Sequence, residues 1–186
     1  MKKLNRRQIL IVVLTIISLI IGFLYPSLVN KSIISAKLTN YIEALSNTKF
    51  AVNSLIKTNI LNNLIENTAL YLFTYTLVFF PITILIFLLK SFTIGASITS
   101  ILYIYKLKGL LYLPVIIIPS ILSFIVILVS FYYALSYFIL KVKYKRKFSK
   151  KRLIKSYLKV LLITSTLQIL ISFIDSYLSF YFFKLF

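Results

Sequence analysis

Long apolar runs that carry few charged residues are the feature of this sequence that most limits its fold. A helix of about 20 apolar residues crosses a bilayer, and the runs reach that length. They do not alternate between polar and apolar residues, as the strands of a membrane β-barrel do. We therefore predict an all-α, polytopic membrane helix bundle that forms a single membrane domain. Its spans, about five in number, are predicted at about residues 9–29, 69–89, 91–108, 120–140 and 158–183.

The residue types that are missing exclude most enzymatic chemistry. The chain has no His and no Cys, which excludes imidazole acid–base catalysis, thiol nucleophiles, disulfides and soft metal sites. Only one of its three acidic residues, Asp175, falls within a predicted span, so the paired carboxylates of an intramembrane aspartyl protease cannot form. The three glycines lie too far apart to build a phosphate-binding loop. We predict a protein that is not an enzyme and uses no cofactor.

The first predicted span follows a basic N-terminus and is interpreted as an uncleaved anchor. Its apolar run is longer than the ~7–15 residues of a signal-peptide core, and it lacks a small-residue cleavage site.

The segment over 30–68 is polar, yet apolar residues recur in it at helical spacing. This pattern predicts an external segment of two amphipathic helices, at about 32–47 and 51–66. The two helices either lie on the bilayer surface or form a docking face for a partner. Leu38 and Tyr41 are candidate residues of such a face.

Two later segments have features of a bundle interior. The span over 91–108 contains small residues near one another, including Gly95, which favour close approach of another helix. The apolar run that follows, from 110 to 140, would be roughly 46 Å long as one helix, against a hydrocarbon core of roughly 30 Å. Pro114 and Pro119 lie in its first third, so we predict a half-membrane or interfacial piece over 110–119. This piece either marks a functional site or is a packing kink.

Basic residues concentrate in a predicted cytoplasmic loop over 141–157. Residues 141–159 contain ten Lys and Arg and no acidic residue. In a membrane protein such an excess marks the cytoplasmic side and attracts anionic lipid, and we expect no nucleic-acid partner. With a cytoplasmic N-terminus and five spans, 15 of the 22 basic residues lie inside. The protein is therefore predicted in the cell membrane with an extracytoplasmic C-terminus.

Asp175 needs a partner, because a charged Asp at the centre of a membrane helix costs about 2.5–3.5 kcal/mol. We hypothesise that it pairs with Lys106 or Lys108, whose long stems lie on the same predicted side, or accepts hydrogen bonds from Ser and Tyr hydroxyls. The alternative is a protonated Asp175 with one hydroxyl partner.

Two stretches of the sequence carry a resemblance to a known family. One is Leu-Lys-Ser-Phe-Thr-Ile-Gly-Ala-Ser-Ile at 89–98, followed by Leu-Lys-Gly-Leu-Leu at 107–111 and a proline-bearing helix. The other is Leu-Ile-Ser-Phe-Ile-Asp-Ser-Tyr-Leu-Ser at 170–179, where an acidic residue precedes an aromatic and a small residue. Together with the basic N-terminus and the predicted five spans, they resemble the stage II sporulation protein M family. Asp175 stands where a glutamate is expected in that family.

The resemblance implies a scaffold in the cytoplasmic membrane of an endospore-forming bacterium. Members of that family hold extracytoplasmic peptidoglycan-degrading partners, stage II sporulation proteins D and P, during engulfment. The rival hypothesis is a small transporter, or a membrane subunit of one, with a solute path along the 110–119 segment and Asp175. Because the spans offer mainly scattered hydroxyl groups, we favour the scaffold, with membrane lipid as a further partner and no small-molecule substrate.

Overall fold

The structure is a computed structural model that describes residues 6–36, 51–143 and 150–185. Almost all of the chain in these ranges is helical, and no strand occurs in them, as the predicted all-α fold requires. A short helical segment over 31–36 follows the first long helix. The five long helices are α1 (Arg6–Leu28), α2 (Ala51–Tyr75), α3 (Phe80–Tyr105), α4 (Gly109–Lys143) and α5 (Lys150–Leu185). Short 3-10 turns at Leu77–Phe79 and Lys106–Lys108 connect α2 to α3 and α3 to α4.

The first and third helices run in the same direction. Ser18 in α1 donates a hydrogen bond to the carbonyl oxygen of Leu88 in α3, at 2.5 Å. Beyond the end of α1, the ammonium group of Lys31 lies 5.8 Å from the ring centre of Tyr103, which is further along α3. Because α1 and α3 are parallel, the chain between them must return through the length of the bundle.

The second helix makes that return. Asn59 of α2 is hydrogen-bonded to Asp175 of α5, and Asn67 is hydrogen-bonded to Ser165, so α2 and α5 are antiparallel. α2 also packs against α3 and α4. The start of α1, the α2–α3 connection, the end of α4 and the start of α5 therefore lie at one end of the bundle. We call it the basic end, because Lys141 lies there and donates a hydrogen bond to the carbonyl of Tyr75.

Aromatic side chains fill the core between α3 and α4. The rings of Phe80 and Phe138 stack with centres 3.8 Å apart, and those of Phe87 and Phe131 with centres 4.3 Å apart. These pairs show that α3 and α4 are antiparallel. Phe87 and Phe131 are fully buried.

Four helices are long and apolar enough to cross a membrane, with spans at Gln8–Leu28, Phe80–Tyr105, Tyr112–Val142 and Lys155–Tyr181. The prediction of a multi-pass helical membrane protein is confirmed at this level, but the predicted count of about five spans is not. The predicted spans over 69–89 and 91–108 divided one apolar region at Lys90. In the structure the chain breaks earlier, before α3, and Pro81 lies in the first turn of that helix, where its missing N–H costs nothing.

The predicted break within the next apolar run is also absent. α4 continues as one helix through Pro114 and Pro119, so 110–119 is not a separate piece. Membrane helices tolerate proline where neighbouring groups satisfy the freed backbone. The basic loop over 141–157 is shorter than predicted, because α4 extends to Lys143 and α5 begins at Lys150.

The external amphipathic segment over 30–68 is only partly described. Its second predicted helix is longer than expected: α2 begins at Ala51 and continues to Tyr75, with a polar face packed against α5. Ile34, the first residue of the predicted apolar stripe, is only 5% exposed and therefore contacts the bundle instead of a lipid surface. Residues 37–50, which include Leu38 and Tyr41, lie outside the described residues.

Candidate functional site

Three asparagines line one face of α2 and form what we call the asparagine ladder. Asn59, Asn63 and Asn67 are four residues apart, a spacing that places side chains one above another along a helix. All three donate hydrogen bonds to side chains of α5. The ladder therefore joins α2 to the helix that contains the last predicted span.

Asn67 is the most buried member of the ladder, with no exposed surface. Its amide nitrogen donates to the hydroxyl oxygens of Thr164 at 3.1 Å and Ser165 at 3.0 Å. Its carbonyl oxygen accepts a hydrogen bond of 2.8 Å from the hydroxyl of Ser130 in α4. This one side chain links α2, α4 and α5.

Asn63 connects the ladder to a charged group. It donates to the hydroxyl oxygen of Ser172 at 2.8 Å and accepts from the ammonium of Lys90 at 3.3 Å. The ammonium of Lys90 also lies 2.7 Å from a carboxylate oxygen of Glu66, one helical turn further along α2. The Lys90 side chain is only 16% exposed. The ion pair with Glu66 explains how α3 carries a lysine within its apolar length.

Asp175 lies next to Asn59, the remaining asparagine of the ladder. Its Oδ2 atom accepts a hydrogen bond of 3.0 Å from the amide of Asn59, which also lies 3.1 Å from the hydroxyl of Ser176. The side chains that the structure describes form one ion pair, between Lys90 and Glu66. Asp175 is therefore not paired with Lys106. Lys106 is exposed at the end of α3, where it ends the helix with a φ of 49°.

Two cavities meet at Asp175. The smaller, of about 100 Å³, is the polar cavity, and its lining includes Lys90, Asn63 and Ser123. The larger, of about 630 Å³, is the apolar cavity, and its walls come from α1, the 31–36 segment, α3, α4 and α5. Both cavities share four polar side chains: Thr93, Ser97, Ser120 and Asp175.

The other residues singled out from the sequence lie in separate places. Pro119 lines the polar cavity, whereas Pro114 is exposed near the start of α4. Gly95 lies where α1 crosses α3, and a Cβ atom there would come within 2.6 Å of the carbonyl oxygen of Leu19. The side chain of Lys108 lies outside the described part of the structure.

Sequence reasoning missed the ladder and the Lys90–Glu66 pair. The four-residue spacing of the asparagines was visible, but their partners on α4 and α5 are distant in sequence. Lys90 was interpreted as the end of a span, because a lone lysine after an apolar run usually marks one.

The site offers a carboxyl group, hydroxyls and amides, and the described ranges contain no group of three His, Cys, Asp or Glu residues for a metal ion. This arrangement is suited to binding or packing. No protein-family model, curated protein sequence or solved structure matches the chain.

Proposed function

We propose that the chain is a non-catalytic membrane scaffold, similar to the stage II sporulation protein M family, that holds peptidoglycan-degrading partners outside the cytoplasmic membrane during engulfment. The observation that supports this proposal is the asparagine ladder. Its amides are engaged with α4 and α5, so the polar groups of α2 fix the helix in the bundle. Because α2 is held in this way, the point at which the preceding segment, 37–50, joins α2 is fixed relative to the bundle.

The proposal includes five crossings of the membrane. α2 is too polar to count as a span by hydropathy, but the parallel α1 and α3 require a return, and α2 lies beside α5 over that return. Polar groups at bilayer depth are tolerated where they face protein. The basic end is then cytoplasmic, and the 37–50 segment and the C-terminus are extracytoplasmic.

Single-cysteine labelling tests this topology, because the chain has no cysteine of its own. Cysteines at Ser46 and Phe186 should react with a membrane-impermeant reagent on intact cells. Cysteines at Thr76 and Ser149 should react only after permeabilisation. Reaction at Thr76 on intact cells would show that α2 does not cross, and reaction at Ser149 would reverse the orientation.

Partner recovery tests the scaffold itself. The change Leu38→Asp should abolish crosslinked recovery of stage II sporulation proteins D and P from sporulating cells while the protein still accumulates in the membrane. Asn40→Asp is the matched control, since helical spacing places residue 40 on the opposite face and the added charge is the same. Equal recovery with both variants would contradict a docking role for the apolar stripe.

A transporter, or a membrane subunit of one, is the second candidate, and the cavities at Asp175 favour it. Intramembrane ionisable residues that face a cavity often mark a solute path. A cysteine at Ser120, which lines both cavities, separates the two candidates. Transport predicts that it reacts with an impermeant reagent from either side of the membrane in oriented vesicles, whereas a scaffold predicts reaction from one side at most.

A further inference from the structure

The charges around the polar cavity do not balance. Lys90 is paired with the carboxylate of Glu66 at 2.7 Å. Asp175 lines the same cavity as Lys90 and interacts with its charge through space, but among the described residues it forms no ion pair with Lys90 and instead receives a neutral amide hydrogen bond from Asn59. With all three groups ionised, the cluster has two carboxylates for one ammonium. A carboxylate at this depth that lacks an ion-pair partner in direct contact carries a desolvation cost, so a cation in contact with Asp175 would be stabilised.

The two cavities have the shape of a site for an amphiphile. The apolar cavity of about 630 Å³ lies within the size range of small-molecule pockets, and its lining includes four isoleucines, Tyr25 and Phe92. Where it meets the polar cavity, Asp175, Ser97 and Ser120 are present together. A carboxylate with two hydroxyls can accept the three N–H bonds of an alkylammonium group.

We propose that these cavities form one binding site for an amphiphile with a protonated primary amine. The amine lies at Asp175 and donates to its carboxylate, and the hydrocarbon chain fills the apolar cavity. An anionic head group is disfavoured, because Lys90 is already neutralised by Glu66. This site is independent of the proposed scaffold role and adds a ligand where the sequence led us to expect no small-molecule substrate.

Three probes of equal chain length test the site on the purified full-length protein in a non-ionic detergent. Dodecylamine should bind saturably with a stoichiometry of one, as measured by native mass spectrometry. It should bind about 10- to 100-fold more tightly than dodecanol or dodecanoate, the effect expected of a hydrogen-bonded buried charge. Equal binding of dodecanol would overturn the proposal and show that the cavity merely holds hydrocarbon.

Two variants assign the binding to the two cavities. Asp175→Asn keeps the shape of the side chain and should reduce dodecylamine affinity by the same 10- to 100-fold. Ser97→Phe should block binding with Asp175 intact, since Ser97 is an exposed residue at the junction of the cavities. Unchanged affinity in either Asp175→Asn or Ser97→Phe would overturn the proposal. Butylamine that binds as tightly as dodecylamine would also overturn it, because the apolar cavity would then contribute nothing.

Discussion

The helices α1 and α2 are joined to the same bundle by different kinds of contact. α1 packs mainly on α3 and exposes a large apolar surface, whereas α2 packs on three helices and buries polar side chains. The exposed residues of α1 include Ile9, Leu10, Val13, Ile16, Ile17, Ile20 and Leu24. The buried residues of α2 include Asn67 and Thr74, which have no exposed surface.

The difference shows two ways of holding a helix where burial of apolar surface gives little driving force. Lipid chains are as apolar as leucine, so association depends on close packing or on hydrogen bonds. α1 depends on close packing, since Gly22 and Gly95 let its backbone approach α3. α2 depends on the asparagine ladder. Each mechanism predicts a different sensitivity to substitution.

The largest effect is expected at the α1–α3 crossing. A Cβ atom at Gly22 would lie within 3.0 Å of the backbone nitrogen of Ala96, and backbone cannot move aside as a side chain can. Gly22→Leu should therefore destabilise the detergent-solubilised protein by about 3 kcal/mol or more, at or above the usual range for overpacking. Ser27→Leu is the control, because Ser27 is an exposed small residue of the same helix. Equal melting temperatures for the two variants would show that α1 is not held by close approach.

An intermediate effect is expected at the centre of the ladder. Asn67→Leu preserves the approximate size of the side chain and removes three hydrogen bonds to α4 and α5. Hydrogen bonds between membrane helices average about 0.6 kcal/mol, so the loss should be about 2 kcal/mol. Asn62→Leu, at an exposed position of α2, is the matched control. The contrast between α1 and α2 fails if Asn62→Leu is as destabilising as Asn67→Leu in thermal unfolding.

The contrast also explains what the sequence could predict about the fold. The first and last spans were predicted at 9–29 and 158–183, close to the observed Gln8–Leu28 and Lys155–Tyr181, because a lipid-facing helix must be apolar over its whole length. The part of α2 up to residue 68 was assigned to an external segment, because its asparagines appear as surface residues when hydropathy is averaged. Their hydrogen-bond partners come within reach only once α4 and α5 have packed against α2.

The candidate site, like the fold, was predictable from the sequence only in part. Asp175 was identified from the sequence because a lone acidic residue in an apolar run stands out. Its amide partner was not, since Asn59 is 116 residues away in the chain. Glu66 and Lys90 were assigned to an outside segment and a span end, although their charges neutralise each other inside the bundle.

A small coupling is expected between Asn59 and Asp175. In a double-mutant cycle of Asn59→Leu and Asp175→Leu, the losses in unfolding free energy should be less than additive by about 0.6 kcal/mol, and up to about 1.7 kcal/mol. Each single change removes the same hydrogen bond, so the second change should cost less after the first. Melting in detergent with each single and double variant measures the coupling. Additive losses would mean that the ladder does not extend to Asp175.

The smallest effect is expected for the partner that the sequence suggested for Asp175. Lys106 is exposed at the end of α3 and forms no ion pair with Asp175. Among the described side chains, the ion pair is between Lys90 and Glu66. A cycle of Lys106→Met with Asp175→Leu should therefore be additive within about 0.3–0.5 kcal/mol, as for independent sites. The cycle with Asn59 is its internal standard, because both share the Asp175→Leu variant and the same melting assay. A coupling to Lys106 that equals or exceeds the coupling to Asn59 would show that a lysine from the α3–α4 connection neutralises Asp175. In that case Asp175 would already have an ion-pair partner, and the unpaired carboxylate that favours a bound amine would not exist. The main partner of the carboxylate would then come from the α3–α4 connection and not from α2.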